Sequence, residues 1–262
     1  VTRTVNVIDV SAPVITIKGS NPVSIEYGSP YSDAGATAVD DVDGDVTSKI
    51  TTTGNVNPNA LGTYTITYTV KDTAGNTATA TRTVNVIDTT KPTITFGTNG
   101  NSTYAKSRST TVTVSDNLSV NTSSLKYLWN TSTTTPSEAS ITTSFTNGGT
   151  INTPAGVTGD YYLWILAKDT SGNTTISGSN VFKLDNIKPV ITITGSNPIT
   201  VNAGTPYNDA GATASDAHSG INGTVTSSGT VNINVPGTYT ITYTVKDTAG
   251  NTATATRTVN VI

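Results

Sequence analysis

Residues 62–87 read GTYTITYTVKDTAGNTATATRTVNVI, and the same words stand again at 237–262. Tyr64, Ile66, Tyr68 and Val70 alternate with Thr63, Thr65, Thr67 and Thr69. That is the period of two with which a strand turns one row of side chains to a core and the other to water. The short TAGN at 73–76 brings Gly and Asn, the residues of tight turns, to the point where the chain must reverse. TATATRTVNV then answers as the second arm of a hairpin. Since no stretch shows the 3.6-residue period of an amphipathic helix, the expectation is an all-β chain.

Outward from this hairpin, PVITIKGSNPVSIEYGSPYSDAGATA at 13–38 recurs as PVITITGSNPITVNAGTPYNDAGATA at 189–214. The early part repeats at a shift of 176 and the later part at 175, so the two units differ by one deletion in a loop between them. The stretch between is a more distant relative that keeps two features. One is an opening Asp-x-x-x-Pro, with Asp88 and Pro92 matching Asp9 and Pro13 and also Asp185 and Pro189. The other is KDTSGNT at 168, matching KDTAGNT at 71 and 246. The expected domains are 9–87, a divergent 88–184, and 185–262. Residues 1–8 are expected to be the closing strand of a preceding repeat, because TRTVNVI at 2–8 repeats 81–87. Short alternating strands between Gly, Pro and Asn turns predict three tandem antiparallel β-sandwiches. In an elongated array of such domains, each pre-proline junction is biased to extended backbone, and three in series would span about 110 Å.

Composition narrows the function. Charged residues are 12% of the chain and the formal net charge is −3, with no Lys/Arg cluster, which argues against nucleic acid or an anionic membrane surface as partner. Cysteine is absent, which removes disulfides, thiolate metal sites and a Cys nucleophile. There is no apolar run long enough to cross a membrane, and VTRTVNVID has no apolar signal core. A secretion signal or an anchor is therefore expected outside these residues.

The succession Pro-x-Ile-Thr, Asn-Pro, Tyr-x-Asp-Ala-Gly-Ala-Thr-Ala, Asp-Gly-Asp-Val-Thr, Gly-Thr-Tyr, Thr-Ala-Gly-Asn and Arg-Thr-Val-x-Val resembles the immunoglobulin-like repeats of bacterial surface proteins, also found in some pesticidal crystal proteins. It spans nearly all of 9–87 and 185–262. The resemblance implies an extracellular place, on a bacterial cell surface or secreted, and a role as spacer or adhesion module. The last repeat departs where DDVDGD at 40–45 becomes DAHSGI at 216–221.

An enzyme reading lacks convergent groups. His218 is the only histidine and falls in a loop, and the two glutamates, Glu26 and Glu138, belong to different segments. The expectation is a non-enzymatic chain. Of the 17 acidic residues, the other 15 are Asp, crowded at predicted loop ends. Chain direction through a sandwich brings the linker Asp, the loop after AGATAV and the TAGN hairpin to one end. The candidate metal ligands are therefore Asp9, Asp40, Asp41, Asp43, Asp45 and Asp72 in the first domain. They are Asp88, Asp116 and Asp169 in the second, and Asp185, Asp216 and Asp247 in the third. Gathered carboxylates repel unless water or a cation separates them, and Ca²⁺ takes 6–8 oxygen ligands. Calcium is the expected cofactor; the competing reading is that each Asp caps a turn.

In DYYLWILAKD the register puts Tyr162 and Trp164 where the first domain has exposed threonines. As a candidate ligand-binding pair they would stack a cell-surface glycan or pack on a protein. The alternative is that 131–158 folds over them. Trp129 is expected in the core, like the strand C tryptophan of immunoglobulin domains. The leading expectation is a rigid stalk with calcium-stabilised junctions whose partners are neighbouring repeats. The alternatives are a binding module working through 88–184 and the accessory domains of an extracellular hydrolase.

Overall fold

The computed structural model describes all of residues 1–262. Strands Gly62–Lys71 and Thr77–Ile87 pair antiparallel without a break from Gly62 opposite Val86 to Lys71 opposite Thr77. Alternation works as the sequence predicts: Ile66, Tyr68 and Val70 are buried while Thr63 and Thr65 face water. Thr51–Thr53 and Val23–Glu26 flank the hairpin to give a four-stranded sheet. Against it lies a smaller sheet of Val14–Ile17, Ala36–Asp40 and Gly44–Asp45. Ile15, Ile17 and Ala36 of the small sheet pack on Ile66, Tyr68 and Val84 of the large one. Each fully buried aliphatic side chain of this kind contributes roughly 1.5–3 kcal/mol.

The last repeat builds the same pair of sheets. Val190–Ile193 pairs with Ala212–Ser215, and the larger sheet runs Ile199–Val201, Thr252–Val261, Gly237–Asp247, Ile221–Ser228. In the middle segment Thr93–Phe96, Ser109–Ser115 and Thr150–Asn152 form one sheet. The other is centred on Gly159–Lys168 beside Lys126–Asn130. Val112, Val114, Leu125, Ile151, Leu163, Ile165 and Ala167 make the core, with Trp129 half-buried against it and edge-on to Phe182 at 5.2 Å.

Pairing is not purely antiparallel, as the sequence had suggested. Val23–Glu26 runs parallel to Thr77–Ile87, Ile199–Val201 parallel to Thr252–Val261, and Phe182–Leu184 parallel to Asn101–Ala105. In the first repeat the chain leaves one sheet after Ile17, turns at Gly19 (φ +75°) and passes the cis Asn21–Pro22 bond. It then continues in the same direction on the opposite sheet, beside the closing strand. Residues 1–8 pair with no strand of this chain. By packing, the chain divides into two compact units. One holds 1–91 with 116–119 and 169–173, and the other holds 92–115, 120–168 and 174–262.

The inward row of the hairpin carries a charge. Arg82 is 3% exposed and its guanidinium donates to the carbonyls of Lys18 and Gly35 across the sandwich, while it also meets the Tyr68 hydroxyl and pairs with Asp33 at 3.1 Å. Arg257 repeats this with Thr194, Gly211 and Asp209, the ion pair at 2.8 Å. The Tyr-x-Asp-Ala-Gly motif is thereby explained, since it supplies the carboxylate and one of the carbonyls that receive the arginine. Burial works to raise the Asp209 carboxyl, but hydrogen bonds from Tyr243 and Tyr207 and the charge of Arg257 hold it below the usual range. Burial and the bond to Asp209 push Tyr243 up to about 12.

The outward reading of Trp164 is corrected. Trp164 is 7% exposed, covered by Ile141 and with its Nε1 donating to the Ser132 carbonyl at 3.2 Å. An apolar row on a sheet face is too costly to leave in water, so the chain after Asn130 folds over it. Gly178 permits the fit: a Cβ there would stand 2.9 Å from the indole ring.

Candidate metal centres

Three clusters of carboxylates form, one for each opening Asp-x-x-x-Pro. They are Asp9, Asp40 and Asp72; Asp88, Asp116 and Asp169; and Asp185, Asp216 and Asp247, and in each one oxygen per residue lies within 4.8 Å of the others. Each member comes from a different element. The first precedes the proline, the second ends the rising strand that carries AGATA or its counterpart, and the third opens the hairpin turn. The first two clusters belong to the compact unit that contains 1–91, the third to the other unit.

Local hydrogen bonds set each carboxylate. A β-strand ending on Asp leaves the next main-chain N–H groups unpaired, and the Asp side chain accepts them. Asp40 Oδ1 accepts from Val42 and Asp43 at 2.9 Å each, Asp116 Oδ1 from Leu118 and Ser119, and Asp216 Oδ1 from His218, Ser219 and Gly220. The linker aspartates do the same through Asp9 to Ser11, Asp88 to Thr90 and Asp185 to Ile187. One oxygen of each group is thus tied down; the second oxygens of Asp88 and Asp185 accept as well, from the Ser171 hydroxyl and the Ser219 N–H.

The second oxygens of the strand-end residues have no partner at all. Asp40 Oδ2, Asp116 Oδ2 and Asp216 Oδ2 are all buried and accept no hydrogen bond. Asp40 is 4% exposed, and Asp185 and Asp247 are fully buried. The five ion pairs of the chain involve Asp43, Asp33, Glu138, Asp160 and Asp209, so no lysine or arginine neutralises a cluster. Three formal negative charges facing one point, with an orphaned buried acceptor in each set, is a donor arrangement suited to a hard cation.

The loop 40–45 contributes less than its acidity suggests. Asp41 accepts from the Ser11 hydroxyl. Asp43 Oδ2 is taken by the Thr73 hydroxyl and N–H and by Lys49 Nζ, which lower its pKa to about 2. Asp45 accepts from Thr47. These three stand outside the cluster, held by donors of their own away from Asp9, Asp40 and Asp72. Conversely, the change from DDVDGD to DAHSGI in the last repeat leaves its cluster whole, since only the first Asp of that loop belongs to it.

The sequence reading passed over the hairpin asparagine. Asn76 donates through Nδ2 to Asp72 Oδ2 at 2.7 Å and to the Asp9 main-chain carbonyl at 3.3 Å. Asn173 and Asn251 repeat both bonds, to Asp169 and Asp88 and to Asp247 and Asp185. The signal was available: an Asn four residues after the hairpin Asp in all three segments. For Asp72, burial raises the carboxyl's pKa, but the side-chain and backbone bonds from Asn76 outweigh it and lower the value. Of the candidate ligand-binding pair, half-buried Tyr162 and covered Trp164 edge a groove of about 540 Å³ lined also by Thr133, Gly178 and Asn180.

The fold is a succession of immunoglobulin-like sandwiches with acidic clusters at their loop ends. The family model described as bacterial surface protein, Ig-like domain, matches residues 15–86 and 191–261, more than half of the chain, and the chain belongs to that family. No curated protein matches the sequence. Among solved structures, a lipoprotein from Bacteroides thetaiotaomicron is similar at 14% identity over 94% of this chain and 98% of its own, with a TM-score of 0.28. Mouse cadherin-23 EC22-24 is 12% identical over 96% of this chain and 99% of its own, TM-score 0.37. The protocadherin GammaB4 extracellular domain is 14% identical over 95% of this chain, TM-score 0.36, and the chain spans 49% of its length.

Proposed function

We propose that the chain is a non-enzymatic spacer of a bacterial surface or secreted protein, stiffened by calcium at the Asp-x-x-x-Pro junctions. The observation that carries this is the threefold recurrence of a carboxylate cluster with one orphaned buried oxygen. Oxygens up to 4.8 Å apart are within reach of a single ion, because two ligands on opposite sides of Ca²⁺ at about 2.4 Å are separated by about that distance. Each set also includes the linker aspartate, so an ion would tie the linker to two loops at once and resist swinging of the chain there. Its partners in this reading are the neighbouring repeats of the same chain, with a glycan or protein at the distal end of the assembly.

Calorimetric titration of chelator-treated protein tests the ion, and small-angle scattering with and without calcium tests the stiffness. The reading expects three bound ions and a narrower distribution of maximum dimension when calcium is present. No heat at millimolar Ca²⁺, or scattering unchanged by it, would remove the cation from the proposal. A compact particle in both conditions would remove the spacer.

A further inference from the structure

We infer that Asn76, Asn173 and Asn251 are the positioning residues of the three clusters, and that each couples cation binding to order in the linker before it. The inference rests on the proposed cation sites and deepens them. In every segment one amide group performs the same pair of tasks. Its Nδ2 holds the hairpin Asp by Oδ2, and it holds the linker Asp by the main-chain carbonyl. The main-chain N–H of the same Asn also donates to Oδ1 of the hairpin Asp, at 2.7, 2.8 and 2.7 Å. In return the N–H of the Asp donates to the carbonyl of the Asn, closing the turn. Both oxygens of the hairpin carboxylate are therefore fixed from one residue.

The chemistry requires this residue type. The position needs a donor that reaches two acceptors at once, one of them charged and one a neutral carbonyl, and the planar NH₂ of an amide has two hydrogens for them. Asp would face a carboxylate with a carboxylate, and Ser would lack the second hydrogen. The consequence concerns energy as well as shape. Bringing three carboxylates together before an ion arrives is unfavourable, and a neutral donor that binds one of them and the linker backbone offsets part of that repulsion. It leaves the cluster assembled, with less rearrangement required on ion binding. Since the same hydrogen-bonding group grips the linker, loss of the amide should both weaken the ion and release the Asp88 carbonyl in the case of Asn173.

The test isolates the middle cluster in the full chain by D40N and D216N, which remove the orphaned carboxylate from each of the other two. Calcium titration of that protein is compared with the same protein carrying N173A. The expected result is one remaining site whose dissociation constant rises about 10- to 100-fold, the range typical of groups that orient a metal ligand. The Asp88 carbonyl loses its donor in the same variant, so its carbonyl carbon shift should move in chelator, while the Thr89 and Thr90 amides, held by Glu26, keep their protection. In the otherwise wild-type chain, N173A should weaken one site and leave two unchanged, a pattern that a general loss of stability would not produce. An unchanged affinity at the middle site would overturn the inference while leaving the cation sites standing. Absence of calcium binding before N173A is introduced, in the wild-type chain, would overturn both.

Discussion

In Asp216→Asn the carbonyl oxygen retains the place of Oδ1, accepting from His218, Ser219 and Gly220, and the new NH₂ replaces the orphaned Oδ2. The local turn is preserved, so the change is one of charge. Of the three pairwise repulsions among Asp185, Asp216 and Asp247, two disappear. At the 4.8 Å limit of their oxygens, each pair costs about 0.9 kcal/mol with water-like screening and about 3.5 kcal/mol at an effective dielectric of 20. The expected gain in chelator is therefore about 2 kcal/mol at the lower bound, an unusual sign for substitution of a buried group. Calcium reverses the order. An ion present at about 1,000 times its dissociation constant stabilises the wild-type site by about 4.1 kcal/mol, and the variant forgoes most of that for want of one carboxylate. Wild type should then be the more stable by about 2 kcal/mol. Native-state hydrogen exchange of the Gly237–Asp247 strand reads the last repeat by itself. A variant less stable than wild type in chelator, or one that gains as much from calcium as wild type, would refute the reasoning.

Glu26 accepts from the N–H and hydroxyl groups of Thr89 and Thr90, which lower its pKa from 4.5 to about 2. A depressed folded-state value means its contribution is complete above pH 4.5 and fades as pH falls toward about 2. The amide shifts of Thr89 and Thr90 should therefore titrate near the lower value, and E26Q should abolish that titration. R257M should cost about 3–5 kcal/mol, because it leaves Asp209 and two main-chain carbonyls without their buried donor; urea unfolding followed by exchange in Thr252–Val261 measures it, and a loss below 1 kcal/mol would contradict the role given to the arginine. G178A should cost about 1–3 kcal/mol by forcing the Trp164 ring from its seat, seen as a lower urea midpoint and a red shift in tryptophan emission.

Much of the molecule was legible before any coordinates. The tyrosines, isoleucine and valine of TYTITYTV specify the buried face by period alone, since a strand has only two faces and only one can be wet. The repeated Asp-x-x-x-Pro and KDT words, read with chain direction, placed twelve aspartates in three groups, six of them in the first. The tertiary structure brings nine of the twelve together and leaves Asp41, Asp43 and Asp45 outside. Composition could not tell Asp40 from Asp43, three residues away in one acidic loop. They differ because Lys49 and Thr73 reach Asp43 and leave Asp40 Oδ2 orphaned.

Other features were decided wholly in three dimensions. The period of two puts Arg82 in the row of Val84 and Val86, but nothing in TATATRT says what would answer its charge there. Only the opposite sheet, with the Lys18 and Gly35 carbonyls and Asp33, makes that burial affordable. Trp164 holds an outward strand position, but a segment more than twenty residues earlier in the chain, from Ser132 to Ile141, covers it. A period belongs to one strand, whereas burial and the pairing of charges belong to whatever the fold brings against it. The sequence by itself therefore determined the strands and the segments that bring aspartates together, and only tertiary packing decided which of those charges are answered and which are left without a partner.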